Sequence, residues 1–253
     1  MVIQKTSQTE GLILPDFLGI GAVKTGTTWL YRNLYQHPEI FLPIKKPVFF
    51  FDKNFDKGLD GYSRIFRKAG DRLIGEFTAS YSTLPLDRIR FIRGVMPKAK
   101  FIFLMRHPIY RDWSDARMEL SVIQERDPSD ITHDDLLSEI QTKQCRDRGN
   151  YLQILKNWFD VYPREQFFIG TYEDMFSRPR AFLAEIFAFL GVTSSGLDWD
   201  QYPIGDVIFK GANIQLPADI QELLDARYPL SYVETLGQFL GMDFTTIWKY
   251  KEH

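Results

Sequence analysis

Cysteine and histidine are scarce in this sequence. Cys145 is the single cysteine among 253 residues, and only four histidines are present. One cysteine cannot form an internal disulfide, and these few side chains lack the spacing of a zinc site. We therefore expect a protein of a reducing compartment, the cytoplasm, that needs no metal.

Long apolar runs and an excess of charge are also missing. No segment approaches the roughly 18 consecutive apolar residues of a membrane span. The 31 Lys and Arg nearly balance the 33 Asp and Glu, for a formal net charge of −2. Such a balance does not call for a nucleic acid or an anionic membrane. We expect neither as a partner, and any anion site must be local.

Apolar and aromatic residues, by contrast, are plentiful. Hydrophobic residues make up 44% of the chain and aromatic residues 15%, which is enough to build a core and argues against disorder. No internal repeat and no Pro/Gly-rich linker divides the sequence. The sequence therefore predicts a single domain over residues 1–253, with about residues 1–15 as an N-terminal extension.

Short apolar runs alternate with segments of helical periodicity along the chain. Predicted strands are Phe17–Ile20, Leu73–Phe77, Lys100–Met105 and Gln166–Gly170. Predicted helices are Thr27–Tyr35, Leu86–Val95, a segment after Pro108, Asn150–Tyr162, Pro179–Leu190, Ala218–Arg227 and Tyr232–Gly241. Strands and helices that alternate at this spacing predict an α/β fold with a central, mostly parallel sheet and helices on both faces.

A glycine loop lies between the first strand and the first helix, and it reads Gly-Ala-Val-Lys-Thr-Gly-Thr-Thr over residues 21–28. Glycines let backbone N–H groups converge, and the N-terminus of the following helix favours an anion such as phosphate or sulfate. A nucleoside-triphosphate loop carries lysine after its second glycine, where this chain has Thr27. The cation is instead Lys24, inside the loop, where it can reach an oxygen that bridges two anionic groups.

The loop and its extension through Trp29 and Leu30 resemble the 5′-phosphosulfate loop of sulfotransferases that use 3′-phosphoadenosine 5′-phosphosulfate (PAPS). The resemblance implies a P-loop-like sulfotransferase fold and binding of PAPS by Lys24 and its neighbours in the loop. Those neighbours are Val23, Thr25, Gly26, Thr27, Thr28 and Trp29. In that family the lysine contacts the bridging oxygen and the threonines hold the 5′-phosphate.

A second motif of the same family follows the buried strand Lys100–Met105. Arg106 comes directly after this strand, and Ser114 lies eight positions further on. The resemblance implies that both side chains bind the 3′-phosphate, a role that suits an arginine fork and a hydroxyl. Lys210 and Gly211 are similar to a late Lys-Gly element that closes over the 3′-phosphate and adenine. The resemblance extends from about residue 16 to about residue 248 and is strongest to the bacterial and heparan-type branch.

The resemblance implies transfer of a sulfuryl group from PAPS to a hydroxyl of a small or medium-sized acceptor. Phe77 stands where the heparan-type branch has a substrate-contacting lysine, which argues against a densely sulfated glycan. Two alternatives stay open at this point. One is a nucleotide or small-molecule kinase, which would need Mg²⁺ and a lysine after the second glycine. The other is a non-catalytic nucleotide-binding protein of the same fold.

The base that takes the acceptor's proton is not given by the motifs. The heparan-type branch uses a glutamate where this chain has Lys46 or Pro47, depending on how the aromatic residues are aligned. We rank Glu76 first, because a carboxylate at the carboxyl end of a parallel strand points into the ligand crevice; a structural hydrogen bond is its alternative. Asp52 is a second candidate, although an aspartate after an aromatic run is also typical of a turn.

The remaining candidates concern the acceptor and the two histidines near the site. Lys46 is predicted to bind an anionic acceptor or the sulfonate, and Phe50 and Tyr81 to line an apolar acceptor pocket, with core packing as the alternative for the two aromatic residues. His37 is expected to be structural, because it precedes Pro38 at a helix end. His107 adjoins Arg106, so a cofactor contact is expected there.

Overall fold

A five-stranded sheet organises the computed structural model, which describes residues 11–206 and 215–250. Its order is β2-β3-β1-β4-β5, and every neighbouring pair is parallel. The strands are β1 (Phe17–Gly21), β2 (Ile40–Phe41), β3 (Leu73–Phe77), β4 (Lys100–Met105) and β5 (Phe167–Thr171). The four predicted strands are confirmed. Strand β2 was not predicted, because two residues are too few to show a periodicity.

The helices fill the connections between strands and the C-terminal third of the chain. They are α1 (Thr27–Tyr35), α2 (Phe50–Lys53), α3 (Gly58–Ser63), α4 (Leu86–Val95), α5 (Pro108–Met118), α6 (His133–Ile140), α7 (Lys143–Gly149), α8 (Tyr151–Phe159), α9 (Tyr172–Ser177), α10 (Pro179–Leu190), α11 (Ala218–Arg227), α12 (Leu230–Leu240) and α13 (Phe244–Ile247). Every predicted helix is present, to within three residues at each end. None of these helices is both long enough and apolar enough to cross a membrane.

Apolar side chains on alternate positions of the strands build a core on each face of the sheet. On one face Phe101 and Phe103 of β4 pack with residues of α4, α8 and α12. On the other face Phe17 of β1, Phe77 of β3 and Ile102 of β4 pack with α1 and α10. Because side chains alternate along a strand, a buried strand supplies both cores at once. The predicted arrangement of helices on both faces is confirmed.

A close approach between β1 and β3 depends on a glycine. A Cβ built at Gly19 would lie 2.1 Å from the ring of Phe77, so only glycine leaves room for this ring. The same ring meets Phe17 edge to face, with centroids 6.2 Å apart. The packing brings the end of β3 beside the glycine loop that follows β1.

Helix α5, which follows β4, is held by a buried network of ion pairs. The Arg111 guanidinium contacts Asp112 and lies 3.2 Å from Asp115, and all three side chains are almost fully buried. Arg227 of α11 pairs with Asp112 at 2.7 Å, and Arg148 of α7 pairs with Asp115 at 3.3 Å. Paired and hydrogen-bonded charges of this kind fix geometry more than they add stability. The network ties three helices together beneath the end of β4.

Candidate active site

The glycine loop turns alternate residues outward at the carboxyl edge of the sheet. Lys24, Gly26 and Thr28 are partly exposed. Thr25 is fully buried and its hydroxyl donates to the carbonyl of Ala22 at 2.7 Å. The other buried residues of the loop are Gly21, Ala22, Val23 and Thr27. A ligand can therefore reach the side chains of Lys24 and Thr28, whereas Val23 and Thr25 can offer it only backbone N–H groups.

Gly26 joins the loop to α1 in a conformation that suits glycine. Its φ is +89°, in the left-handed region, and it caps the N-terminus of α1. A Cβ there would lie 2.2 Å from the Cε of Met175 on α9. The backbone conformation explains why the loop needs glycine at this position, whereas the flexible Met175 side chain could shift to admit a methyl group.

The side chain of Trp29 is packed in the core behind the loop. Its side chain is 2% exposed, belongs to the core around α1, and donates from Nε1 to the carbonyl of Ile204 at 3.2 Å. The indole is committed to packing between α1 and the segment before residue 207, so it does not face the loop surface. The side chain has a structural role, so a contact of Trp29 with the cofactor, through its backbone N–H, stays a prediction.

Lys24 lies among charged residues from α5 and the end of β4. Its own φ of 67° is unusual for a residue with a side chain. Burial lowers the pKa of the Lys24 ammonium, Asp115 raises it, and Arg106 and Arg117 lower it further. The three cations thus lie close enough to act on one another electrostatically. Such a concentration of positive charge fits a ligand with more than one anionic group.

Arg106 follows β4 and is framed by two tyrosines. Its guanidinium carbon lies 4.4 Å from the centroid of the Tyr172 ring. The Tyr151 hydroxyl donates to the Arg106 carbonyl at 2.9 Å and accepts from the Arg106 N–H at 3.3 Å. Ser114 lies on α5, partly exposed. The structure therefore places the two residues of the second motif on consecutive elements beside the loop.

Arg117 was missed by the reading of the sequence. It lies three positions after Ser114 on α5, on the same face of the helix, with its guanidinium carbon 5.7 Å from the Trp113 ring centroid. The signal that could have found it is this i, i+3 spacing from a predicted phosphate ligand. Lys210 and Gly211, the other predicted ligands, lie outside the described residues.

His107 begins α5 and is enclosed by aromatic rings. Its ring stacks on that of Tyr250, with ring centroids 5.0 Å apart. Its backbone N–H donates to one carboxylate oxygen of Glu173, and the other oxygen accepts from the indole N–H of Trp248. Burial lowers the pKa of His107 to about 4, so its imidazole is neutral. Within the described residues its Nδ1 is buried and has no hydrogen-bond partner. His37 is structural, as expected: Nε2 contacts the carbonyl of Thr193 at 2.8 Å.

Glu76 lies at the end of β3 and is fully buried. One of its oxygens accepts from the Tyr62 hydroxyl, and the other accepts from the Thr78 hydroxyl at 2.7 Å. Burial raises the pKa of Glu76 to about 7, against hydrogen bonds that lower it. A carboxyl that titrates near neutrality suits acid–base chemistry, yet both of its oxygens are engaged. Its assignment as the base stays a prediction.

Asp52 is partly exposed and takes part in local hydrogen bonds. One carboxylate oxygen accepts from the Ser80 hydroxyl at 2.6 Å, and the other accepts from the N–H of Lys53 at 2.7 Å. These contacts are those of a residue that fixes a turn. Its proposed part in catalysis also stays a prediction. Among residues 11–206 and 215–250, no group of three or more His, Cys, Asp and Glu side chains could hold a metal ion.

The Lys46 amine reaches the glycine loop from the segment before α2. Its Nζ lies 3.2 Å from the Thr28 hydroxyl oxygen. It also lies 5.3 Å from the centroid of the Tyr31 ring and 5.6 Å from that of Phe77. Burial, together with the nearby charge of Arg32, lowers the pKa of Lys46 to about 7. Lys46 and Thr28 are thus brought together, although 17 residues separate them in the sequence.

A cleft of about 200 Å³ lies beside the same segment. Its lining includes Lys45, Val48, Phe50, Lys57, Tyr62 and Ile65. The predicted place of Phe50 at such a cleft agrees with this lining. Tyr81 is different: it is fully buried, and its hydroxyl accepts from the N–H of Phe51 at 3.1 Å. Its side chain belongs to the core under Glu76, the alternative given for it above, and a contact with the substrate stays a prediction.

Comparison with known protein families shows which family has this arrangement of motifs. The family described as "Sulfotransferase domain" matches residues 14–202, which include the glycine loop, Arg106 and Ser114. The chain belongs to the sulfotransferase family. This membership confirms the resemblance inferred from the two anion-binding motifs.

Two relatives show how far the sequence similarity extends. Heparan sulfate glucosamine 3-O-sulfotransferase 6 of Mus musculus is 30% identical over 185 residues, which are 70% of this chain and 52% of the relative. Membrane-associated sulfotransferase kil1 of Dictyostelium discoideum is 35% identical over 107 residues, 41% of this chain and 22% of the relative. This sulfotransferase chain therefore spans about half or less of the length of these relatives.

Solved sulfotransferase structures share the fold. A sulfotransferase from Alicyclobacillus acidocaldarius superposes with a TM-score of 0.73 at 24% identity, and covers 94% of this chain and 100% of its own. A mouse sulfotransferase complexed with PAP superposes with a TM-score of 0.50 at 19% identity, over 76% of this chain and 63% of its own. The P-loop-like sulfotransferase fold expected from the sequence is confirmed.

Proposed function

We propose that this chain transfers a sulfuryl group from PAPS to a hydroxyl of a small or medium-sized acceptor. The observation that carries the proposal is the meeting of two anion-binding elements, the loop with Lys24 and the end of β4 with Arg106, at one edge of a parallel sheet. In open α/β sheets ligands bind at this edge. Membership of the sulfotransferase family supports the same reaction.

The residues present fit a nucleotide with two separate anionic ends. Lys24 and Thr28 face outward from a loop at a helix N-terminus, a setting that favours a phosphosulfate. Arg106, Ser114 and Arg117 supply a guanidinium, a hydroxyl and a second guanidinium for the 3′-phosphate. Lys210 and Gly211 remain proposed ligands.

When bound, PAPS supplies the sulfuryl group and a phosphate that leaves. The part of Lys24 is to stabilise the negative charge that collects on the oxygen between sulfur and phosphorus. Arg106 and its neighbours hold the nucleotide in a fixed position, so that an acceptor hydroxyl can approach sulfur in line with the bond that breaks. A preorganised cation aimed at developing charge is the largest single contribution that these residues can make.

The acceptor is proposed to bind at the segment 45–50, with its hydroxyl beside the loop at Lys46 and its body extending over the edge of the sheet into the cleft next to this segment. Phe50, Tyr62 and Ile65 give the cleft an apolar lining, and Lys45 and Lys57 add positive charge. One relative is named for a heparan sulfate substrate. Phe77 of this chain, however, adds an aromatic ring rather than a charge at the end of β3. We therefore favour a compact acceptor over a densely sulfated glycan, and we place the reaction in the cytoplasm.

Radiolabelled PAPS incubated with the purified chain and a panel of phenols, alkyl alcohols and sugars tests the proposal. We expect sulfation of at least one hydroxyl compound without added Mg²⁺, and loss of this activity in Lys24→Ala. Calorimetric titration with 3′,5′-adenosine diphosphate separates the alternatives. A protein that binds this nucleotide but sulfates nothing is a non-catalytic binder, and one that binds only Mg²⁺-ATP is a kinase.

A further inference from the structure

Lys46 presents an amine at the glycine loop, on the opposite face of β3 from Glu76. Side chains alternate along a strand, so Glu76 and its neighbour Phe77 point to opposite faces of the sheet. The Lys46 Nζ lies near the ring of Phe77 and 3.2 Å from the hydroxyl oxygen of Thr28, which faces outward from the loop. The amine, rather than the Glu76 carboxylate, therefore lies at the loop surface where the proposed function places the sulfuryl group.

The Glu76 carboxylate and the Lys46 amine also differ in how many of their hydrogen-bonding atoms already have a partner. Both Glu76 oxygens accept from buried hydroxyls, those of Tyr62 and Thr78, and the carboxyl has no exposed surface. The residue Lys46 keeps partial exposure, and the hydroxyl of Thr28 is its only hydrogen-bond partner within the described residues. An amine nitrogen with a single hydroxyl neighbour retains its lone pair for a proton.

The surroundings of Lys46 favour the neutral amine. Two aromatic rings, of Tyr31 on α1 and Phe77 on β3, flank Nζ. The charged group that acts on it is another cation, Arg32 on α1, which itself lies 3.8 Å from Asp206. In residues 11–206 and 215–250 no carboxylate pairs with Lys46. Burial without a carboxylate partner lowers the pKa of Lys46 to about 7, so much of the amine is unprotonated at neutral pH.

We propose that Lys46 is the catalytic base of this sulfotransferase: its neutral Nζ takes the proton of the acceptor hydroxyl while the oxygen attacks sulfur. The new bond joins the acceptor oxygen to sulfur. The bond that breaks joins sulfur to the bridging oxygen, which leaves with the electron pair on the phosphate next to Lys24. Nζ becomes an ammonium and returns its proton to solvent. This inference rests on the proposed function.

Two variants separate a base from a fixed cation. Lys46→Met keeps the length of the side chain and removes the amine. Lys46→Arg keeps a positive charge but cannot act as a base, because arginine does not lose its proton at neutral pH. A base predicts that both variants lose about 10²–10⁴-fold in kcat, the usual contribution of a positioned base. Binding of 3′,5′-adenosine diphosphate is expected to stay within about fivefold of the wild type, which shows that the variants fold. Lys98→Met, on an exposed turn far from the loop, is the matched control.

The pH dependence has a defined sign. A base must be unprotonated, so kcat/KM of the wild type rises with pH up to the pKa of Lys46 and is level above it. Glu76 titrates in the same range, so the profile is repeated in Glu76→Gln. We expect the rise to persist in Glu76→Gln and to be absent from the residual activity of Lys46→Met.

A direct titration adds a readout that does not depend on turnover. In protein with ¹³C-labelled lysine, the Lys46 ε resonance is the one absent from Lys46→Met, and its shift is followed against pH with 3′,5′-adenosine diphosphate bound. A midpoint below about 8.5 supports the proposal, and a midpoint near the ordinary lysine value overturns it. Substantial activity in Lys46→Arg, or loss of the pH rise in Glu76→Gln, also overturns it. A wild type that transfers no sulfate contradicts instead the proposed function.

Discussion

The guanidinium carbon of Arg106 lies 4.4 Å from the centroid of the Tyr172 ring, which positions the arginine at the end of β4. A ring under a guanidinium stabilises it by about 0.5–2 kcal/mol through cation–π attraction. Tyr172 belongs to α9, which follows the next strand of the sheet. The proposed 3′-phosphate ligand is thus oriented by a residue that does not belong to either sequence motif.

Removing the Tyr172 ring should weaken nucleotide binding without abolishing it. We expect Tyr172→Ala to raise the Kd for 3′,5′-adenosine diphosphate about three- to thirtyfold, in line with the loss of one cation–π contact. Tyr172→Phe keeps the ring and should bind within about twofold of the wild type. Calorimetric titration of the two variants checks this, and equal affinities in both would show that the ring does not position Arg106.

Lys24→Ala should affect turnover far more than folding. The side chain is proposed to stabilise charge that develops only during transfer, so we expect kcat to fall about 10²–10³-fold. The midpoint of thermal unfolding should change little, because no burial of an apolar side chain is lost. Steady-state kinetics and calorimetry on this variant, with Lys98→Ala as the control, make the comparison. Unchanged turnover would remove Lys24 from the mechanism.

Gly26→Ala should destabilise the protein more than a glycine substitution in open space. A methyl group at residue 26 meets Met175 at 2.2 Å as well as the left-handed backbone, with φ of +89°. Gly70 also has a left-handed φ, of +62°, but nothing lies within 4 Å of its added Cβ. We expect Gly70→Ala to cost about 1 kcal/mol and Gly26→Ala about 1–2 kcal/mol in the free energy of unfolding, because Met175 Cε is the end of a flexible side chain that can shift at a small cost.

Urea unfolding of the two glycine variants measures this difference. The gap between them reports the steric contact with Met175, because both variants carry a side chain at positive φ. Met175→Ala combined with Gly26→Ala should recover part of the loss relative to Met175→Ala alone. Equal destabilisation by the two single glycine variants would mean that the Met175 side chain moves aside without cost.

Stability should depend on pH through Glu76. An unfolded glutamate titrates near its ordinary pKa of 4.5, whereas burial raises the pKa of folded Glu76 to about 7. The folded state binds the extra proton between these values, so the free energy of unfolding falls as pH rises from about 4.5 to about 7 and is level above. The contribution is about 3 kcal/mol.

Glu76→Gln removes this titration and keeps hydrogen-bonding partners for Tyr62 and Thr78. We expect the variant to lose the part of the pH dependence that Glu76 contributes, and to be at least as stable as the wild type at pH 8. Urea unfolding at several pH values between 4.5 and 8 gives the difference. A variant whose stability curve runs parallel to that of the wild type would show that Glu76 titrates normally.

Much of the fold and of the nucleotide site could be predicted from local sequence. The loop at residues 21–28 and Arg106 after a buried strand are contiguous motifs, and parallel strands place their carboxyl ends at one edge. Strand β2 was missed, because two residues carry no periodicity. The burial of the Trp29 and Tyr81 side chains could not be predicted, because sequence position alone does not say whether an aromatic side chain faces a cleft or the core.

The contacts that refine the site are set by packing between distant segments. Lys46 meets Thr28 only because β3 lies beside β1, where the ring of Phe77 crosses Gly19. Arg106 lies over Tyr172 because β5 pairs with β4. Neither the lowered pKa of Lys46 nor the raised pKa of Glu76 could be read from the sequence, since burial causes both.

The other proposals depend on one claim, that a single nucleotide binds both the glycine loop and the end of β4. Calorimetric titration with 3′,5′-adenosine diphosphate and with adenosine 5′-monophosphate tests it most directly. We predict that the 3′-phosphate increases affinity at least about 30-fold in the wild type, as charge-assisted bonds to an arginine allow, and that Arg106→Gln loses most of this increase. Equal affinities for the two nucleotides in the wild type would contradict the account.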